Sequence, residues 1–207
     1  MALELHSWPQ SSGTRISWAL EELGLPYTYV QVDGKKKENL APKHLAINPH
    51  GKVPALVDGD QKFFESLAIL IHLAHKYGIE KKLWPSAGGQ DRADALCWTV
   101  WAMTELGPYM MQVLYHGMST PVSYKPEDQS KATAEYNRYQ LGRMLDALEA
   151  RLAKREYLVG NAFSFVDLAA SSQLMLGAMF GLPLDRHPRT AAWLKRCTDR
   201  PALKKAK

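Results

Sequence analysis

A small mixed α/β domain followed by an all-helical one is the architecture predicted for this 207-residue chain. Three observations predict it. Strand-like and helix-like segments alternate through residues 1–82. Residues 83–89, which contain Trp84-Pro85-Ser86-Ala87-Gly88-Gly89, have the composition of a linker. Across residues 90–207 every periodic segment is helical.

In the first domain, residues 3–6 (LELH) alternate apolar and polar side chains and predict a strand. Residues 15–23 (RISWALEEL) carry helical periodicity, ended by Gly24 and Pro26. Residues 27–32 are aromatic and β-branched and predict a second strand, closed by Asp33-Gly34 and three lysines. After the turn Asn48-Pro49-His50-Gly51 come strands over 53–57 and 62–64. The Asp58-Gly59 step between them is a hairpin signal. Residues 67–77 then form an amphipathic helix. In the second domain, helices are expected over 91–115, 127–154, 165–180 and 188–197, the first bent at Gly107-Pro108. Ser164 and Asp167 have the spacing of a capping box at the start of the third.

Composition narrows the function classes. At 46% hydrophobic and 23% charged, the chain matches a folded globular protein rather than a fibrous or disordered one. No apolar run approaches the roughly 18–20 residues of a membrane span, and residues 1–12 lack a signal-peptide pattern, so a cytoplasmic protein without a membrane partner is expected. Cys97 and Cys197 are too few for a disulfide framework and have no zinc-ligand spacing. The net charge of +5 is a tail property: residues 186–207 hold eight basic groups against one acidic. No aromatics interleave with them as a stacking platform for nucleic acid would require. The seven histidines include no HExxH pair, so no metal is expected. GxGxxG, GxxxxGK[ST] and GxSxG are all absent.

Four segments of the first domain have chemistry to offer. Pro9 through Arg15 is a polar turn leading from a strand into a helix start, where free N–H groups and a serine hydroxyl favour an anion; Ser12 or Gly13 would serve equally as a plain N-cap. Val53-Pro54 opens a strand with a residue that lacks an N–H, and a cis bond there would present Val53 to a ligand main chain. Glu65-Ser66, at a strand-to-helix junction, offers an acceptor for an ammonium and a donor for a carboxylate. Lys52 offers a cation for a second carboxylate.

In order, Pro9 to Arg15, Leu20-Glu21-Glu22-Leu23-Gly24-Leu25-Pro26-Tyr27, Asn48-Pro49-His50-Gly51-Lys52-Val53-Pro54-Ala55-Leu56 and Phe64-Glu65-Ser66-Leu67-Ala68-Ile69 resemble the cytosolic glutathione transferases. The resemblance continues through Tyr157-Leu158-Val159-Gly160, the capping box, and the run from His187-Pro188 to Arg200-Pro201-Ala202, and so covers essentially the whole chain. It implies a thioredoxin-like first domain that binds glutathione as co-substrate, and a helical domain that shapes a pocket for a hydrophobic electrophile. A cytoplasmic, homodimeric detoxification enzyme is implied, one that conjugates glutathione or reduces peroxides with it. The spacing of Ser11 to Arg15 is similar to the serine-type, theta- and phi-like members, here of bacterial kind, and implies Ser11 rather than Ser12 as thiolate donor. No cysteine occupies the turn and no tyrosine ends the first strand, unlike other groups. The glutathione contacts implied are Ser11, Lys52, Val53, Pro54, Glu65 and Ser66. Trp8, Tyr109 and Tyr115 are the electrophile-pocket candidates in an aromatic and methionine-rich stretch suited to a permissive pocket. A non-enzymatic interaction module of the same fold is the alternative.

Overall fold

A computed structural model describes residues 3–207. Met1 and Ala2, which the predicted first domain includes, lie outside the described residues. The chain divides into two compact units: residues up to Trp84 together with Arg200–Lys207, and Pro85–Asp199.

The first unit is built on a four-stranded mixed sheet of order β2-β1-β3-β4. Strand β1 (Leu3–Ser7) runs parallel to β2 (Tyr27–Gln31) and antiparallel to β3 (Ala55–Asp58), which pairs antiparallel with β4 (Gln61–Phe64). The Asp58-Gly59 signal is the hairpin between β3 and β4, with Gly59 at φ 67°. Helix α1 (Thr14–Leu23) connects β1 to β2 and ends at Gly24, whose φ of 64° lets its N–H reach back to Leu20 and Glu21 carbonyls. It buries Ile16, Trp18, Leu20 and Leu23, while α3 (Ser66–Leu73) contributes Ile69, Leu70 and Leu73 to the first unit's core. Each such side chain contributes on the order of 1.5–3 kcal/mol by leaving water. This is the expected thioredoxin-like arrangement.

Three features differ from expectation. β3 begins at Ala55 rather than 53, because Pro54 has no N–H for the ladder. The long β2–β3 connection contains a 3₁₀ turn (Glu38–Leu40) and the short helix α2 (Pro42–Leu45), both too brief to leave a periodic signal. Residues 200–207, expected in the helical domain, return to the first unit. Arg200 makes a forked pair with Glu22 of α1 at 2.6 and 2.7 Å, and the Lys207 N–H donates to Ser17 Oγ at 2.9 Å.

The second unit is helical. Helix α4 (Gly89–Trp101) passes through a π-helical turn (Ala102–Leu106) into α5 (Gly107–Gly117). The interruption falls just before Pro108, which can neither donate to the Thr104 carbonyl nor tolerate its crowding; the wide turn absorbs both. Helix α6 (Lys131–Arg151) packs along α5, and α7 (Phe165–Met179) and α8 (Pro188–Thr198) complete the unit. The capping box forms as expected: Ser164 Oγ accepts from Val166 N–H and Asp167 accepts from Ser164 N–H. Asp167 also accepts from Leu158 N–H, Ser164 Oγ and the Trp193 indole, so one buried carboxylate ties the preceding loop and α8 to the start of α7. Burial pushes its carboxyl upward against these four donors. A short helix, α9 (Pro201–Lys205), packs beside α1 in the first unit. Among the described residues, no helix is long and apolar enough to cross a membrane.

Asp58, at the end of β3, accepts from His72 at 2.7 Å, Lys76 at 2.8 Å and the Tyr77 hydroxyl at 2.9 Å. Burial would raise its carboxyl, but these donors outweigh it and hold the group below its ordinary 3.8. A pKa lowered by folding contributes stability above the unfolded value of about 3.9 and loses it as pH falls. Asp58→Asn is therefore expected to cost about 2 kcal/mol at pH 7, with the gap to wild type closing on acidification. Urea unfolding at pH 7 and pH 3 measures this; curves equally separated at both would refute it.

Candidate functional site

The first unit brings one helix start and two loops around a cleft lined by Ser12, Asn48, Lys52, Val53, Pro54, Glu65 and Ser66. Five of the residues singled out from sequence, Lys52, Val53, Pro54, Glu65 and Ser66, line it together. Ser12 lines it as well, whereas Ser11 does not. Ser11 Oγ turns back on its own loop, donating to the Trp8 carbonyl at 2.7 Å and accepting from the Gly13 N–H at 3.1 Å. Ser12 Oγ donates to the Val53 carbonyl at 3.3 Å, joining the two loops.

The Val53-Pro54 peptide is cis. Val53 lies two residues before the first ladder pairs, His6 with Ala55 and Ala55 with Phe64, so its main chain stands outside the sheet's own pairing. The loop leading to it is held from inside: the Lys52 carbonyl accepts from Asn48 Nδ2 at 2.8 Å and bonds His44 Nε2 at 2.9 Å. Both side chains are buried. Asn48 was missed as a cleft residue because Asn48-Pro49 registers in sequence only as turn punctuation; its oxygen also accepts the His50 N–H at 3.0 Å.

Glu65 joins β4 to α3 with φ 65° and ψ 118°, a conformation non-glycine residues rarely adopt outside functional sites. The kink leaves its carboxylate exposed at the cleft, one residue before the buried Ser66. Arg15 Nη1 donates to Ser66 Oγ at 3.1 Å. Because Ser66 Oγ accepts there, its own proton is available to a ligand. Burial lowers the Arg15 guanidinium to about 10, so it remains cationic at neutral pH behind the serine. Arg15 and Ser66 are 51 positions apart, and only the fold brings them together. The cleft thus offers a carboxylate acceptor, a hydroxyl over a helix N-terminus, an unladdered main chain and the exposed Lys52 ammonium. This set suits a peptide-like zwitterion with further carboxylates.

Trp8 follows β1 in the first unit, its ring lying where a side chain on Gly34 would touch it at 3.5 Å. Tyr109 and Tyr115 belong to α5 in the second unit. Six residues apart, they point different ways: Tyr109 toward Tyr136 of α6, with ring centroids 6.4 Å apart, and Tyr115 onto Tyr124, stacked at 5.0 Å. Among the described residues, no group of three or more His, Cys, Asp or Glu could hold a metal ion.

Residues 1–75 match the family model for the glutathione S-transferase N-terminal domain, and residues 108–201 that for the glutathione S-transferase C-terminal domain. The chain is similar to glutathione S-transferase F7 of Arabidopsis thaliana, 31% identical over 98% of each chain. Glutathione S-transferase 1 of Zea mays is 33% identical over 93% of this chain and 89% of its own. The crystal structure of glutathione transferase URE2P8 from Phanerochaete chrysosporium with oxidized glutathione superposes with a TM-score of 0.84 at 28% identity. It covers 98% of this chain and 92% of that one.

The turn before α1 is packed without slack. A Cβ on Gly13 would lie 1.8 Å from Ser7 Oγ and 2.7 Å from Ser7 Cβ, although the glycine's φ of −70° suits any residue. Gly13→Ala is therefore expected to lower stability by about 1–3 kcal/mol through overpacking, and Ser7→Gly in the same chain to restore part of it. Thermal unfolding of both variants checks this, and a Gly13→Ala protein as stable as wild type would contradict it.

Proposed function

The chain belongs to the glutathione S-transferase family, and from that premise we propose that it conjugates the glutathione thiolate to hydrophobic electrophiles, with Ser11 as the thiolate donor. The convergence of Glu65, Ser66, Val53 and Lys52 on one cleft carries the proposal. The γ-glutamyl ammonium of glutathione meets Glu65, and its carboxylate meets the Ser66 hydroxyl at the start of α3 with Arg15 behind it. The cysteinyl main chain pairs with Val53 before Pro54, and the glycyl carboxylate reaches Lys52.

The sulfur then falls at the turn before α1. Both its serines already donate, Ser12 to the Val53 carbonyl at 3.3 Å and Ser11 to the Trp8 carbonyl at 2.7 Å. Ser11 alone also accepts from the Gly13 N–H at the helix start, where the dipole favours an anion, and that supports Ser11 as the donor. Ser11 must exchange its bond to the Trp8 carbonyl for one to sulfur. The thiol proton leaves to solvent, a sulfur lone pair forms the C–S bond, and the electron pair of the broken bond departs with the leaving group. In conjugate addition the π pair moves onto the carbon next to the one attacked, which takes a proton from water. The thiolate is the nucleophile, so lowering a thiol pKa of about 8.5 by two units corresponds to about 2.7 kcal/mol.

Trp8, Tyr109 and Tyr115 are the side chains offered to the electrophile, with aromatic faces suited to apolar substrates. Peroxide reduction by the same thiolate, a homodimeric state and a cytoplasmic setting complete the proposal. A reducing compartment suits Cys97 and Cys197, neither of which forms a disulfide.

Calorimetric titration with glutathione tests the core of it. Wild type is expected to bind, and Glu65→Ala to lose about tenfold or more in affinity as the ammonium loses its charged partner. Ser11→Ala is expected to keep affinity while the bound thiol titrates at higher pH, read by thiolate absorbance. Absence of heat with millimolar glutathione would overturn the transferase and favour an interaction module.

A further inference from the structure

Ser7, the last residue of β1, is fully buried yet polar, and the ligand contacts above leave its hydroxyl unused. Its Oγ lies 3.0 Å from Ser11 Oγ and 3.4 Å from the Trp8 carbonyl. A hydroxyl has one proton and two lone pairs. Ser11 spends its proton on the Trp8 carbonyl at 2.7 Å, which can only accept. Ser7 is therefore the donor between the two serines, at 3.0 Å, its 3.4 Å approach to the Trp8 carbonyl being the weaker use of the same proton. Ser11 Oγ then receives two hydrogen bonds, one from Ser7 and one from the Gly13 N–H at 3.1 Å, and both its lone pairs are engaged. With both lone pairs engaged, Ser11 can act only as a donor, through its single proton. Accepting two bonds also polarises the Ser11 O–H and strengthens it as a donor.

The arrangement is built into the fold. Ser7 side-chain atoms fill the space that any Cβ on residue 13 would need, so glycine at the helix start and the hydroxyl beneath it are one packing unit. From β2 the Tyr29 phenol faces Ser7, raised above 10 by burial with the Ser7 hydroxyl opposing, and the Lys207 ammonium lies over the Tyr29 ring at 5.2 Å. The phenol therefore stays neutral over the range in which a thiol titrates.

We propose that Ser7 is a positioning residue for the transferase reaction: its buried hydroxyl donates to Ser11 Oγ, so that Ser11 serves only as a donor and donates more strongly to the glutathione sulfur. This rests on Ser11 being the thiolate donor, and the test separates the two. Bound glutathione is titrated by thiolate absorbance in wild type, Ser7→Ala, Ser11→Ala and the double variant, with affinity measured in parallel. Ser7→Ala is expected to raise the bound thiol pKa by about half a unit to one unit, the size of one lost neutral hydrogen bond, with affinity within about twofold. The double variant is expected to match Ser11→Ala alone, since Ser7 acts only through Ser11. A Ser7→Ala pKa equal to wild type beside a raised Ser11→Ala value would overturn the role of Ser7 and leave Ser11 standing. Additive shifts would show Ser7 acting on sulfur independently and overturn it equally. No shift in Ser11→Ala would remove both assignments. Should Ser7→Ala fail to fold, Ser7→Cys, close in size and a weaker donor, is expected to shift the pKa part of the way; no shift there would also overturn the role.

Discussion

Two buried donors, His44 and Asn48, converge on one acceptor, the Lys52 carbonyl, and the cleft of the first unit depends on that convergence. The β2–β3 connection has almost no regular structure to hold it, with only a 3₁₀ turn and a four-residue helix along its length. Side chains supply the order instead. Asn39 Nδ2 donates to the Gly51 carbonyl at 2.7 Å, and the Gly51 N–H donates to the Asn48 carbonyl at 3.0 Å. Gly51 sits at φ 60°, a left-handed conformation that favours glycine. Each neutral hydrogen bond contributes about 1 kcal/mol, and their combined effect is to hold Lys52, Val53 and Pro54 in one orientation along the cleft.

The two helix starts nearest the cleft differ from those of α6 and α7 in the second unit. Ser130 and Ser164 cap α6 and α7 with their side chains. Gly13 and Glu65, at the starts of α1 and α3, make no side-chain cap bond. At α1 the Gly13 and Thr14 N–H groups turn instead to Ser11, the first to its Oγ and the second to its carbonyl. The serines beside these starts are conditioned from behind: Ser66 accepts from Arg15, and Ser11 accepts from the Gly13 N–H beside Ser7. Ser66 thereby keeps its proton for an anionic ligand group, and Ser11 can give its own once it leaves the Trp8 carbonyl.

Most of the fold was legible because its signals are local. Alternation marked β1, the Asp58-Gly59 step marked the hairpin, and Ser164 with Asp167 marked the start of α7; each depends on residues within a few positions of one another. The π turn ahead of Pro108 was legible only as a bend, since the proline forbids a regular helix without choosing how the backbone relaxes. The return of residues 200–207 to the first unit was not legible, because it depends on Arg200 meeting Glu22 across 178 positions of sequence.

For the cleft, sequence by itself determined which chemical groups were available: a carboxylate and a hydroxyl at one junction, a proline after Val53, a lysine before it, and serines in a turn before a helix. Those are covalent facts, and the turn and capping preferences that flank them act over one or two residues. Tertiary structure alone decided how each group is aimed. It set Arg15 on Ser66, brought His44 and Asn48 to the Lys52 carbonyl, and put Ser7 against Ser11 with room for no side chain at residue 13. Arg15 reaches Ser66 across 51 positions of sequence, so that contact exists only once α1 and α3 have packed together, whereas Ser7 with Ser11 and Asn48 with Lys52 join residues four apart whose turns the packing holds in place.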